Sequence, residues 1–183
     1  MKLLESLDTP RTRIRRFQPG DRQHFVQFMT NGKITENLSL YDDSKSERGA
    51  IELLNYAIQS YRSKDPIYAY AIEDAQSGQW VGACGMNPRN KQIIEVFYAL
   101  LPEAWGKGLG TEVLQGLTAH IFRDGDFQEI HAFIRQENES SKGVAIKAGY
   151  ENVGLVDNPS FDEKVYLFSI DRSRYESMKQ KGE

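Results

Sequence analysis

Apolar residues recur along this chain in two distinct periods. Over 50–61 they fall every three or four positions, and Ala50, Leu53, Leu54, Ala57, Ile58 and Tyr61 line one face of a predicted helix. Ser44-Lys45-Ser46-Glu47, just ahead of it, fits a capping box with Ser44 as N-cap and Glu47 reaching back. A second stripe, Val113, Leu114, Leu117 and Ile121, predicts a helix over 109–123. Shorter helical patterns occupy 139–148 and the segment opened by Pro19-Gly20-Asp21, through Phe25, Phe28 and Met29. Elsewhere the pattern is that of strands, at 12–17, 67–73, 80–86, 92–100, 129–135, 152–156 and 164–170. Ser77-Gly78 marks a hairpin turn, and Asn87-Pro88-Arg89-Asn90 marks the next. The order is strand, two helices, three antiparallel strands, helix, strand, helix and two strands. That order makes an α+β domain with a mixed sheet.

Composition narrows the class. A chain of 183 residues suits one domain, 1–183, with its core at about 12–170. With 39% apolar and 27% charged residues it is expected to be globular and soluble. A formal charge of −3 argues against a nucleic-acid partner. The run Arg11, Arg13, Arg15 and Arg16 reads as a solvated strand face rather than an anion site. Cys84 is the lone cysteine, so no internal disulfide forms, and its apolar run Val81-Gly82-Ala83-Cys84-Gly85 gives it a structural reading. Lys2, Leu3 and Leu4 lead into Glu5 and Asp8 rather than an apolar run, so no signal peptide is expected. No stretch approaches the roughly 20 apolar residues of a membrane span. A cytoplasmic protein without a membrane partner is the expectation. His24, His120 and His131 show no metal-ligand spacing, so no metal is expected, and His131 reads as a structural strand residue.

The candidate chemistry begins at Gly106-Lys107-Gly108-Leu109-Gly110-Thr111, between a strand and a helix. Glycine admits positive φ and lets backbone approach a ligand. The first N–H groups of the following helix lack intrahelical acceptors and lie at the positive end of its dipole. A phosphate suits that place. The spacing matches neither a nucleotide P-loop nor G-x-G-x-x-G. Taken alone, the turn fits a purely structural role equally well.

Its surroundings carry more. Glu95, Tyr98, Leu100, Pro102, Trp105, Gly106, Lys107, Gly108, Thr111 and Glu112, followed by Asn138, Ser141, Lys147 and Gly149, fall in register with a known pattern. The pattern resembles the GCN5-related N-acetyltransferase superfamily, and within it the ribosomal-protein N-terminal acetyltransferase (RimJ/RimL-like) branch. That branch reads E-I-G-Y-W-L-x-P-x-Y-W-G-K-G-Y-A-T-E, then N-x-x-S and K-x-G-F. The likeness spans roughly residues 12–170.

The resemblance implies a mostly antiparallel sheet of six to seven strands flanked by about four helices. Its two central parallel strands would splay apart as a V. Phe97, Tyr98, Ala99 and Leu100 would offer unpaired backbone to the pantetheine arm of acetyl-CoA. Trp105, Gly106, Lys107, Gly108, Leu109, Gly110 and Thr111 would hold the pyrophosphate, with Lys107 either touching phosphate or facing solvent. Asn138 would hydrogen-bond the pantetheine, and Ser141 would lie near the thioester sulfur. Three positions depart from the pattern. Trp105 replaces an Arg or Gln common in the superfamily, Gly110 replaces an Ala, and Ala145 stands where many members carry an acidic Tyr.

An amine attacks a thioester only when unprotonated, and its pKa is about 10.4 for a lysine-type amine and about 7.7–8.0 for an α-amine. Glu95 is the candidate base, directly or through water, or else makes a structural hydrogen bond. A backbone N–H near residues 97–100 would meet the oxyanion. Ser141 would donate to sulfur, unless Ser140 and Ser141 merely cap the helix. The expected activity is direct acetyl transfer from acetyl-CoA to a primary amine, either a protein N-terminus or a small-molecule amine (polyamine, amino acid or drug). The alternative is a non-catalytic coenzyme A-binding module. The acceptor would be shaped by the first two helices and the last hairpin. There Asp157, Asp162 and Glu163 either attract a cation or form a solvated turn. Monomer and homodimer are both left open.

Overall fold

Tyr70 and Ile72 point to one side of the sheet and Ala69 and Ala71 to the other, and that division sorts the whole core. The computed structural model describes residues 2–182. Its strands are β1 (Ser6–Asp8), β2 (Thr12–Arg16), β3 (Tyr68–Asp74), β4 (Trp80–Pro88), β5 (Ile93–Leu100), β6 (Glu129–Ile134), β7 (Glu151–Val156) and β8 (Val165–Asp171). They form one eight-stranded sheet in the order β1-β2-β3-β4-β5-β6-β8-β7. All neighbours run antiparallel except β5 and β6.

The alanine side of the sheet carries α1 (Arg22–Met29), α2 (Gly32–Thr35) and α3 (Glu47–Ser60). Phe25, Phe28, Met29, Ala50, Leu54 and Ala57 pack there against Ala71, Trp80 and Ala83. The large side faces α4 (Leu109–Asp124), whose Val113, Leu114, Leu117 and Ile121 are fully buried against Ile14, Ile72, Met86 and Ile94. Each such Leu or Ile contributes about 1.5–3 kcal/mol over an exposed one. Beside α4 lie α5 (Glu139–Lys147), through Ala145, and α6 (Arg172–Gly182), whose Tyr175 packs on Phe122. Cys84 is buried in this core, and burial pushes its thiol up, out of the nucleophilic range. No helix among the described residues is long and apolar enough to cross a membrane.

Three elements go beyond the expected six to seven strands and about four helices. β1 has three residues and exists through its rungs to β2. α2 is a single turn that Asn31 caps by accepting the Lys33 N–H. α6 is held by polar contacts, with Arg172 donating to the carbonyls of Phe122, Gly125 and Phe127.

The parallel pair is short. β5 and β6 meet only at Ile93↔Glu129, Ile94↔Ile130 and Glu95↔His131. Past that rung β5 stays with β4, up to Leu100↔Gly82, while β6 follows β8 to Ile134↔Tyr166. The backbone of 96–100 therefore has no strand on its β6 side among the described residues. This is the splay that the resemblance implied.

The cap of α3 is a correction. Ser44 lies in a 3-10 turn, Asp42–Lys45, and the N-cap is Ser46, whose Oγ accepts the Gly49 N–H at 3.0 Å. The extra turn fits because Gly49 has no Cβ, which would overlap the Asp43 carbonyl. Ser46→Ala is expected to cost about 1 kcal/mol. That lowers the thermal midpoint by about 2–4 °C in a chain of this size. Ser44→Ala should leave the midpoint unchanged, and calorimetry of both variants checks the assignment.

Candidate active site

The opening between β5 and β6 is floored by residues whose side chains alternate across the sheet. Glu95, Phe97 and Ala99 share the α1–α3 face, and Val96, Tyr98 and Leu100 the α4 face. Phe97 lies over Gly85 of β4, where a Cβ would strike its ring. It remains 36% exposed at the mouth of the opening. Tyr98 crosses toward α5, its hydroxyl 3.4 Å from the Ser141 carbonyl, and burial pushes its pKa up to about 12.

At the end of β5 the chain turns through Pro102–Ala104, and the indole N–H of Trp105 donates to the Leu100 carbonyl at 2.7 Å. Trp105 thereby locks the strand end. Gly106 and Gly108 both sit at positive φ, +71° and +76°, which only glycine adopts without strain. Gly108 is the N-cap of α4, and no side chain caps it. The first intrahelical bond runs from Glu112 N–H to the Gly108 carbonyl. The N–H groups of Leu109, Gly110 and Thr111 therefore stand at the head of a sixteen-residue helix without intrahelical acceptors. A methyl at Gly110 would meet Tyr98 and Val144 at an ordinary 3.5 Å, so the Ala-to-Gly departure leaves the packing intact. Lys107 is exposed, and its carbonyl faces Arg11.

That arginine belongs to a brace that pattern reading misses. The Glu112 carboxylate accepts from the Thr9 hydroxyl (2.5 Å), the Arg11 N–H (2.6 Å) and Arg11 Nε (2.8 Å). Arg11 Nη1 then donates to the Lys107 carbonyl at 2.8 Å. Burial works against the Glu112 charge, yet Thr9 and Arg11 together hold its pKa below that of a free glutamate. The basic run is thus only partly a solvated face. Arg13 pairs with Asp8, while Arg15, 15% exposed, bridges Asp21 and Glu73.

On the far side of the opening Asn138 caps α5, its Oδ1 accepting the Ser141 N–H at 3.0 Å. The acceptor of the Asn138 side chain is thus engaged, and its amide N–H₂ is what it has for a ligand. The cap is Asn138 rather than Ser140 or Ser141. Ser141 lies half-buried in the first turn beside Tyr98, and Ala145 is fully buried.

Glu95 stands on the last rung before the opening, its side chain 18% exposed. Burial raises its pKa, against the pull of Arg89, whose Nη1 lies 3.4 Å from Oε2, and of His131. His131 is its register partner on β6. The spacing of the histidines carries no sign of this, because sheet register alone joins the two residues.

The acidic turn proves internally paired. Arg135 Nη1 donates to Asp162 (2.9 Å) and Glu163 (3.0 Å), its guanidinium lies over the Phe161 ring, and Lys164 faces Asp157 at 3.5 Å. Ser39 Oγ donates to the Ser160 carbonyl, tying the segment after α2 to this turn. A separate cavity of about 480 Å³ is lined by Arg15, Asp21, His24, Glu73 and Trp80, and there Arg15 already serves both carboxylates.

Comparison with known proteins identifies the family and the fold. A family profile described as "Acetyltransferase (GNAT) domain" matches residues 11–151. The chain is 23% identical to "Uncharacterized N-acetyltransferase p20" of Bacillus licheniformis, over 94% of this chain and 99% of that one. Among solved structures it is similar in fold to RimL, a ribosomal L7/L12 alpha-N-protein acetyltransferase, in complex with coenzyme A. That match has a TM-score of 0.74 at 16% identity, covering 91% of this chain and 98% of the other. It is similar also to a spermidine N-acetyltransferase from Vibrio cholerae in complex with coenzyme A and spermine. There the TM-score is 0.74 at 20% identity, covering 90% and 97%.

If the Arg11–Glu112 brace sets the loop, Glu112→Gln should weaken acetyl-CoA binding about tenfold in calorimetry, the loss expected for one charged hydrogen-bonded pair. Gly108→Trp, which forces a bulky side chain into positive φ, should abolish that binding. Unchanged affinity in both variants would remove the loop from the site.

Proposed function

The chain belongs to the GNAT acetyltransferase family, and from that premise we propose that it moves the acetyl group of acetyl-CoA directly to a primary amine. The observation that carries this reading is the junction of an opened strand edge at 96–100 with a bare helix N-terminus at 108–111. The first suits an extended, amide-bearing pantetheine arm, which pairs as a strand would. The second suits a pyrophosphate. The N–H₂ of Asn138 reaches the arm from the other side.

Glu95 is the base in this reading. Burial raises its pKa and makes it a stronger base than a free carboxylate, while Arg89 pulls the other way. The freed amine attacks the thioester carbon, a backbone N–H of 97–100 receives the oxyanion, and the sulfur leaves toward Ser141. The Ala145 side chain is a methyl group with no dissociable proton. The donor near sulfur is then the Ser141 hydroxyl, with Tyr98 behind it.

The pairing of the acidic turn bears on the acceptor. A polyamine carries several positive charges and calls for free carboxylates, whereas Asp157, Asp162 and Glu163 are met by Lys164 and Arg135. An acceptor with one amine, such as a protein N-terminal α-amine, suits the site better. Buried Ala145 favours one other reading, a coenzyme A-binding module without turnover.

Free-thiol release from acetyl-CoA, measured over a panel of peptides, polyamines, amino acids and aminoglycosides, separates these readings. Turnover is expected with peptides bearing a free N-terminus, and no thiol release from any amine would establish the binding module. Glu95→Gln is expected to lower kcat about a hundredfold. Because the Glu95 pKa is raised and only the ionised form accepts a proton, wild-type kcat/KM should fall on acidification at a higher pH than a free carboxyl would dictate.

A further inference from the structure

We propose that His131 is the proton partner of Glu95, receiving the proton that Glu95 takes from the acceptor amine and passing it to solvent. The inference rests on the reading of Glu95 as base. The two residues form the final rung of the only parallel pairing among the described residues. Strands there lie about 4.8 Å apart, and register partners share a face. Both side chains are largely buried, Glu95 at 18% and His131 at 15% exposure. The rung continues across the sheet as Asn87, Glu95, His131 and Ser169, a polar row on four adjacent strands. On the same face the adjoining positions are Phe97, Phe133 and Leu167. A polar row bordered by apolar residues at the mouth of the opening is placed for proton transfer, where packing alone would favour apolar side chains.

The His131 ring is fixed from two sides. Phe133 meets it edge to face, with centroids 6.0 Å apart, and Nε2 lies 3.0 Å from Glu129 Oε1. Glu129 is 37% exposed, so the chain Glu95, His131, Glu129 runs from the interior to water. The other charged groups nearby are accounted for. Arg89 reaches Glu95 from the β4–β5 turn. Asp171, opposite Glu129 on β8, accepts from Ser173 Oγ and the Arg174 N–H, and Glu151, opposite Ser169 on β7, pairs with Arg174.

The step balances as follows. The acceptor ammonium gives one proton to the Glu95 carboxylate. Its nitrogen lone pair forms the N–C bond to the thioester carbonyl carbon, the C–S bond breaks, and sulfur departs with the bonding pair. The second proton from nitrogen goes to that sulfur. Glu95 and His131 share a rung without direct contact, so the first proton passes from Glu95 to His131 through a bridging water, and release to solvent through the Glu129 side restores both groups.

His131→Gln, with His131→Asn as a second variant should Gln fail to fold, tests this in two readouts. The first needs no acceptor: carbon-13 NMR of labelled glutamate follows the titration of Glu95, whose signal Glu95→Gln identifies. His131 pulls the Glu95 pKa down, so its removal is expected to move the Glu95 titration to higher pH. The second is thiol release from acetyl-CoA with a short peptide bearing a free N-terminus. The acidic limb of kcat/KM should move up in step and kcat should fall about tenfold, while the acetyl-CoA Kd stays within about twofold. An unmoved Glu95 titration, or a pH profile that superimposes on wild type, overturns the proposal, as does an equal loss of rate at every pH. A Glu95→Gln variant with wild-type turnover removes the base reading itself, whatever His131 does.

Discussion

The constraint on which the rest depends is the early parting of β5 from β6. Backbone N–H and C=O groups left without partners in a protein interior are costly, so a sheet does not open between adjacent strands without a use for the gap. Here the two strands share three rungs and then diverge, each keeping its antiparallel neighbour. Tyr98 bridges toward the head of α5, and Gly110 brings the first turn of α4 against Tyr98 and Val144. Both helix N-termini are thereby directed at the unpaired edge of β5. The opening proposed to take the coenzyme A arm follows from one sheet that closes on either side of this gap.

The electrostatics of the loop follow from that arrangement. The head of α4 favours negative charge, and Glu112 in its first turn supplies some. Left alone, Glu112 would compete with a phosphate for the same field. Arg11 and Thr9 draw the carboxylate backward into three hydrogen bonds, and the Lys107 carbonyl follows. The loop N–H groups remain for an anion, and its backbone is anchored to the β1–β2 turn. This explains why a three-residue strand with a weak pattern of its own is kept, because it carries the turn that braces the loop.

Elements with a strong apolar period were legible in the sequence. The stripes of α3 and α4 depend on helix geometry alone, and they emerged with their ends nearly in place. β1, α2 and α6 were not legible, since cross-sheet pairing, one Asn cap and arginine-to-carbonyl bonds hold them. The α3 cap was displaced from Ser44 to Ser46 because the choice turns on how Asp43 packs against Gly49. In the site, the glycines of the loop stood out because their backbone conformation restricts residue type. Arg11 with Glu112, and Glu95 with His131, are joined by long-range contact and by register, and no local spacing encodes either pair.

One strand serves both halves of the chemistry through its period of two. Val96, Tyr98 and Leu100 turn toward α4 and α5, where the phosphate end of the donor would lie, while Glu95 and Phe97 turn to the opposite face. The reacting carbon must then sit at the unpaired edge between them, within reach of a base on one side and a sulfur donor on the other. Among the described residues the one thiol, Cys84, is sealed in the core, away from that edge. That arrangement is what the proposed direct transfer, within a complex of both substrates, requires of the strand. In the proposed reading the α1–α3 face and the turn held by Arg135 are the surfaces left to shape the acceptor side.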